Sequence, residues 1–291
     1  MIYFIKKWNA FPVKAFFVLL LMLSCKQAVK EAYAPEVETL QLFNGKDLTG
    51  WIPKITGHRI GENFANTFQV KDSLLVVDFS GYETFNNQFG HLFYEKPFSA
   101  YYLTIEYRFL DGQAPGGPEW AYRNSGVMLH SQEPLSMGIN QDFPISIEAQ
   151  FLGGDGSGER PTSNLCTPGT HVKMADTLFT PHCINSNSKT YHNNQWVRAS
   201  FLVLKDSLIQ HYLEGKVVLE YTKPQIGGGN VSNFDAMTKR DGKTLTGGYL
   251  ALQSESHPIE FKKVELVDLE PFYTDKAKLK EVIDAILKDG N

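Results

Sequence analysis

The sequence predicts an all-β jelly-roll sandwich of two antiparallel sheets, followed by one short C-terminal helix. Three observations carry this expectation. Aromatic residues make up 13% of the 291 residues, with 24 Gly and 14 Pro, a composition suited to strands and turns. Short runs rich in β-branched and aromatic residues recur along the chain with turn residues between them. A sustained apolar stripe of helical period is seen only near the end.

The first 25 residues, MIYFIKKWNAFPVKAFFVLLLMLSC, have the layout of a secretion signal: Lys6, Lys7 and Lys14 are followed by an apolar run from Ala15 to Leu23. That run is too short to span a bilayer comfortably. Leu21-Met22-Leu23-Ser24-Cys25 resembles a bacterial lipobox, in which Cys25 becomes the lipidated first residue. The plainer alternative is a cleaved signal with an incidental cysteine. The organisation expected is therefore a signal peptide over 1–24, a tether over 25–38, a sandwich over 39–272 and a helical tail over 273–291. The mature chain would face the periplasm or cell exterior and touch the membrane only through its lipid. Removing Lys6, Lys7 and Lys14 moves the net charge from −4 to −7, so nothing suggests a nucleic-acid partner.

Leu40 to Trp51 opens the folded part, with Phe43 and Trp51 flanking the turn-prone Asn44-Gly45-Lys46-Asp47. Strand-like runs follow at Thr67–Val70, Ser73–Phe79, His91–Phe93, Tyr101–Leu110, Gly126–Ser131 and Ile145–Leu152. Beyond a long gap come Trp196–Leu204, Ser207–Leu213, Lys216–Tyr221, Gly248–Gln253 and Ile259–Leu269. Lys205-Asp206 and Glu214-Gly215 read as tight hairpin turns, making a three-stranded meander of Trp196 to Tyr221. In the tail, Leu279, Val282, Ile283, Ile286 and Leu287 share one helical face, and Thr274 or Asp275 is placed to cap it.

The gap between Leu152 and Trp196 holds about forty residues without a clean period, and loops of that length are usually functional or disordered. It carries Cys166, Cys183, His171, His182 and His192. With Cys25 lipidated, two of the three cysteines remain, and in an oxidising compartment Cys166 and Cys183 read as a disulfide. A zinc site using both thiolates is the rival. The histidines lack the tight spacing of a zinc motif, and GGDGSGE lacks the Lys-Ser/Thr of a phosphate loop.

Alternation selects the candidate site. Ile145, Ile147, Ala149 and Phe151 turn to the core, leaving Glu148 and Gln150 on the opposite face. Gln253, Glu255 and His257 alternate onto one face if their strand continues. His130 is placed on the side of Met128, and His211 on the side of Ile209 and Leu213, where a satisfied core histidine is the ordinary reading. Arg123 and Asn124 sit at a loop end, suited either to sugar contacts or to a turn, and Trp120 offers a stacking surface or a buried one.

An ordered set of segments sharpens this picture: FNGKDLTGW (43–51), NSGVMLHSQ (124–132), SIEAQFLGG (146–154), NLCTPGTHV (164–172), HCINSNSKTYHNNQWV (182–197), IQHYLEGKVV (209–218) and GYLALQSESHPIEFKKVEL (248–266). Together they resemble the bacterial 3-keto-disaccharide hydrolase domain family over Leu40 to Leu269. The resemblance implies a concanavalin A-like sandwich and cleavage of glycosides already oxidised at sugar carbon 3. Such chemistry needs a base for the carbon 2 proton, an electrophile for the enolate oxygen and an acid for the leaving group. A divalent metal ion can be that electrophile, although no cofactor is certain. On this basis Glu148, His211 and His130 are the catalytic candidates. Arg123, Asn124, Gln150, Gln253, Glu255, His257 and Trp120 are the substrate-binding ones. A non-catalytic lectin-like module and a conventional glycoside hydrolase are the alternatives.

Overall fold

A computed structural model describes residues 1–4 and 37–289. By its contacts the chain separates into Met1–Tyr33 and Ala34–Asn291, and every element below belongs to the second unit. The signal segment, Cys25 and nearly all of the expected tether lie outside the described residues.

The strands are, in order, β1 (Thr39–Gln41), β2 (Trp51–Ile55), β3 (Phe68–Lys71), β4 (Leu74–Val77), β5 (Gly90–Tyr94) and β6 (Ala100–Phe109). They continue as β7 (Asn124–Ser131), β8 (Ile147–Leu152), β9 (Asn164–Cys166), β10 (Thr170–Met174), β11 (Thr177–Phe179) and β12 (Cys183–Ile184). The last are β13 (Val197–Leu204), β14 (Leu208–Leu213), β15 (Lys216–Ile226), β16 (Tyr249–Ser254) and β17 (Ile259–Asp268), followed by one α-helix, α1 (Lys276–Asp289). The large sheet runs β11-β10-β15-β14-β13-β6-β17-β4-β3, with β1 also on β17. The small sheet runs β12-β9-β8-β7-β16-β5-β2. The fold is thus mostly β, two antiparallel sheets and one short C-terminal helix, as the composition and strand spacing predict.

Period-two alternation puts one side of each strand into the layer between the sheets. From the small sheet come Val127, Leu129, Ile147, Ala149, Phe151 and Leu252. The large sheet answers with Leu103, Ile105, Tyr107 and Phe201, and Phe151 stacks on Tyr107 at 4.1 Å. Each such side chain, taken fully out of water, contributes about 1.5–3 kcal/mol.

The meander forms as expected, its second turn made by Glu214 and Gly215 at φ +47° and +78°, the left-handed region that a two-residue hairpin demands. The tail packs Leu279 and Val282 of α1 against Tyr102, Leu202, Tyr212 and Leu269 on the outer face of the large sheet. Asp275 Oδ1 caps the helix by accepting from the backbone N–H of Ala277 and Lys278.

Two expectations need correction. The gap after Leu152 is not irregular throughout: β9, β10, β11 and β12 lie in it, at two to five residues each too short to display a period. Cys166 and Cys183 stand opposite each other on β9 and β12 and form a disulfide, which sets aside zinc ligation by both thiolates in this form of the chain. The second correction concerns β7. Ala251 pairs with Met128 but Tyr249 pairs with Ser131, so β7 carries one extra residue there, a bulge with His130 at φ +49°. The alternation that would keep His130 beside Met128 breaks at this point.

Candidate active site

On the outer face of the small sheet the register builds two rows. Residues directly opposite on neighbouring strands share a face. One row passes from Cys183 and Cys166 to Glu148, Met128, Ala251, Phe93 and Ile52. Beyond Glu148 it is apolar, with Met137 packed on Met128, Phe93 and Ala251. The row beside it is polar. Asn164, Gln150 and Gly126 stand opposite one another on β9, β8 and β7, while Gln253, His91 and Lys54 do so on β16, β5 and β2.

Over the Glu148 end of these rows lies a cavity of about 480 Å³, within the range of small-ligand sites. Glu148, Glu255, Asn124 and Gln150 line it, with Trp120 and Phe143 on one side and the Cys166–Cys183 bond on another. Trp120, 54% exposed, stacks on Phe89 with centroids 5.8 Å apart, and Phe89 in turn meets Phe143. This is an aromatic wall with one face open. Gly126 is the small residue of the polar row for a steric reason. A Cβ there would stand 3.2 Å from Glu148 Oε1 and 2.9 Å from the Ala149 carbonyl oxygen.

Glu148 and Glu255 are 5% and 3% exposed. Burial raises the pKa of both above the usual carboxylate range, and the charge of Glu148 raises that of Glu255 further. The Gln253 amide works weakly in the other direction on Glu148, although neither amide atom makes a hydrogen bond of regular geometry. Two carboxyl groups so placed titrate as a pair, and Glu148, raised to about 8, gives up its proton before Glu255 does.

Beneath the cavity the polar groups are unusually short of partners. Both Gln253 amide atoms, both His91 ring nitrogens, Asn124 Oδ1 and Glu255 Oε2 are buried without a hydrogen bond from the protein. Buried polar atoms are satisfied in the great majority of folds, so orphans beside a cavity, though others occur at Tyr101, Arg123, His130, Ser163 and His257, fit a ligand site. Lys54 lies at the end of the row, its Nζ donating to the Ile55 and Ile139 carbonyls at 3.0 Å each, and burial pushes its pKa down to about 8. Burial, with the Lys54 charge behind it, pushes His91 down to about 3, so its imidazole is neutral.

Of the residues predicted from sequence, Glu148, Asn124, Gln150, Glu255 and Trp120 converge on the cavity, and Gln253 lies beside Glu148 just out of it. Four do not converge. His211 is buried in the layer between the sheets, its Nδ1–H donating to the Ser163 carbonyl and its Nε2 accepting from Tyr221 Oη at 2.9 and 2.8 Å. It is a core histidine with both nitrogens satisfied. His130, carried inward by the bulge, sets its ring edge-on to Tyr101 and its Nε2 on the Lys205 carbonyl. Arg123 is spent on Asp111 at 2.8 Å and on the Asn193 carbonyl at 2.5 Å, which fastens the loop end rather than reaching the cavity. His257 donates to the Leu110 carbonyl and packs edge-on against Tyr122. The sequence reading missed the pairing of Glu148 with Glu255, and missed His91, Lys54 and Phe143. The alternation His91-Leu92-Phe93 on a strand already recognised was the available signal for His91.

No cofactor is established. Among the described residues, the group of His, Cys, Asp and Glu side chains with ligand atoms within 4.8 Å of one another is Cys166, His182 and Cys183. Their sulfurs are joined to each other. Glu148 and Glu255 are not in that group, and burial holds both toward the protonated form, which ligates a metal ion poorly.

Residues 38–267 match the family described as the 3-keto-alpha-glucoside-1,2-lyase-like domain. Among solved structures the chain is similar to a protein of Parabacteroides distasonis ATCC 8503 provisionally assigned as a glycosyl hydrolase. The TM-score is 0.47 at 19% identity, over 80% of this chain and 94% of that one. It is also similar to a LamA variant of Z. galactanivorans in complex with laminaritriose and laminaritetraose, at TM-score 0.45, 12% identity, and 80% and 98% coverage. A Bacillus subtilis protein with a galectin-like fold gives TM-score 0.39 at 10% identity, with 79% and 94% coverage. No curated protein matches the chain.

Proposed function

The chain belongs to the 3-keto-alpha-glucoside-1,2-lyase-like domain family, and from that premise we propose that it cleaves glycosides carrying a ketone at sugar carbon 3. The observation that carries the reading is the pair of carboxyl groups Glu148 and Glu255, both buried and both lining one cavity. In a 3-keto-glycoside the ketone acidifies the carbon 2 proton. The ionised member of the pair, assigned to Glu148, removes it. The electrons form the enolate and then expel the oxygen on carbon 1, which takes up the proton held by Glu255. An unsaturated ketone and a free alcohol result. Water adding to carbon 1, with its proton going to carbon 2, gives net hydrolysis.

The raised pKa values suit this division of labour, since Glu148 at about 8 ionises first and serves as base while Glu255, raised further by its charge, keeps its proton as acid. Asn124 and Gln150 are the amides available for sugar hydroxyls, and Trp120 is the stacking platform. The lipid on Cys25, with the sandwich facing the periplasm or cell exterior, belongs to the same proposal.

Release of alcohol from a 3-keto-glucoside by the wild-type chain, and its loss in Glu148→Gln, tests the reading. Two carboxyl groups in one cavity also favour a second reading, a conventional glycoside hydrolase. Turnover of the unoxidised glycoside at a comparable rate would select it. Tight sugar binding without turnover of either substrate would leave a lectin-like module.

A further inference from the structure

Cys166, His182 and Cys183 present ligand atoms within 4.8 Å of one another and all three line the cavity. In the form described the two sulfurs are bonded, so a metal ion would meet His182 alone. We propose that reductive opening of this bond creates a site for a thiophilic divalent cation of the zinc class, held by two thiolates and one imidazole. A dithiol reductant supplies two electrons and two protons to the Cys166–Cys183 bond and becomes a cyclic disulfide. Metal binding then releases the two thiol protons.

The fold keeps the three ligands together once the covalent bond is gone. Cys166 and Cys183 are directly opposite on paired strands, and the neighbouring pair is Ile184 with Leu165. The backbone N–H of Thr167 donates to the His182 carbonyl at 2.9 Å, and Thr167 Oγ1 donates to it as well. Thiolates of a tetrahedral zinc site stand about 3.8 Å apart, inside the span these ligand atoms already occupy. Three protein ligands leave one position open, as in zinc sites that take an exchangeable ligand. Glu148 stands directly opposite Cys166 on the adjoining strand. The inference is independent of the glycoside reading, because it concerns the cavity wall and its readout is metal binding.

The test titrates Zn²⁺ alone into the full chain by calorimetry, before and after dithiothreitol treatment and anaerobic desalting. The reduced chain takes one equivalent at least a hundredfold more tightly than the oxidised chain. His182→Ala weakens binding in the reduced chain about tenfold or more, and the Cys166→Ser/Cys183→Ser chain, which retains Cys25, binds like the oxidised one. Co²⁺ in the reduced chain gives a thiolate-to-metal charge-transfer band. Equal affinity in the two redox forms, indifference to His182→Ala, tight binding by the double serine chain, or absence of the band overturns the proposal.

Discussion

His211 and His91 are both fully buried in the same sandwich, and their surroundings differ in kind. Around His211 every polar atom of the ring has a partner, Ser163 on one side and Tyr221 on the other, and Phe201 packs against it. Around His91 neither nitrogen has one, nor has the Gln253 amide opposite it on the neighbouring strand. The first region is a polar group absorbed into structure. The second holds desolvated groups whose cost the rest of the fold offsets, the pattern of a site shaped for something other than itself. Burial alone therefore does not separate these two histidines; the state of satisfaction of the ring does.

The largest effect expected on the site side is chemical. Glu148→Gln keeps the shape of the cavity and removes the base, and turnover of a 3-keto-glucoside falls by about 10²–10⁴. Thermal unfolding at pH 8 moves up or stays in place, because a buried charge has been removed. A variant that melts well below wild type would make Glu148 a structural residue and erase the contrast.

On the core side the order of effects reverses. His211→Phe leaves the Ser163 carbonyl and the Tyr221 hydroxyl without partners, and stability falls by about 2–4 kcal/mol in urea denaturation. Turnover per folded molecule stays within twofold. His91→Leu deletes two unpartnered nitrogens and changes stability by less than about 1 kcal/mol. Matching losses in the two variants would abolish the distinction.

The architecture was legible because the longer strands display their alternation between clear turn signals, and the face of Glu148 and Gln150 followed from Ile147, Ala149 and Phe151 alone. The pairing of Glu148 with Glu255 was not, since they are brought together by β7 and β16 across more than a hundred residues and no local pattern connects them. His130 was misplaced by a single inserted residue, since a bulge inverts every side chain beyond it. His211 followed the alternation correctly. Its neighbours Ile209 and Leu213 already placed it in the core, and only the family resemblance argued for a role at the site.

The pH dependence of stability separates the two regions in one measurement. Burial holds His91 at about 3 and His211 and His257 at about 4, and lowers His130 as well, against an ordinary value near 6.5 in the unfolded chain. The unfolded state therefore binds more protons below pH 6.5. Stability is fully present above that pH and is lost as pH falls toward the folded values. Glu148 and Glu255 act with the opposite sign. Their folded pKa values are raised, so the native pair keeps a proton that the unfolded chain gives up above about 4.5, and stability declines as pH rises through the folded values. Between pH 4.5 and 6.5 the two trends oppose each other, and above 6.5 only the carboxyl trend remains. Urea denaturation from pH 4.5 to 9 is thus expected to give a maximum near 6.5 and a decline on the alkaline side of roughly 1–3 kcal/mol. Glu255→Gln flattens the alkaline decline and leaves the acid limb. His211→Phe reduces the acid limb and leaves the alkaline one. A wild-type profile that is level from pH 6.5 to 9 would mean that burial does not raise the two carboxyl groups, and the acid–base division between them would fail with it.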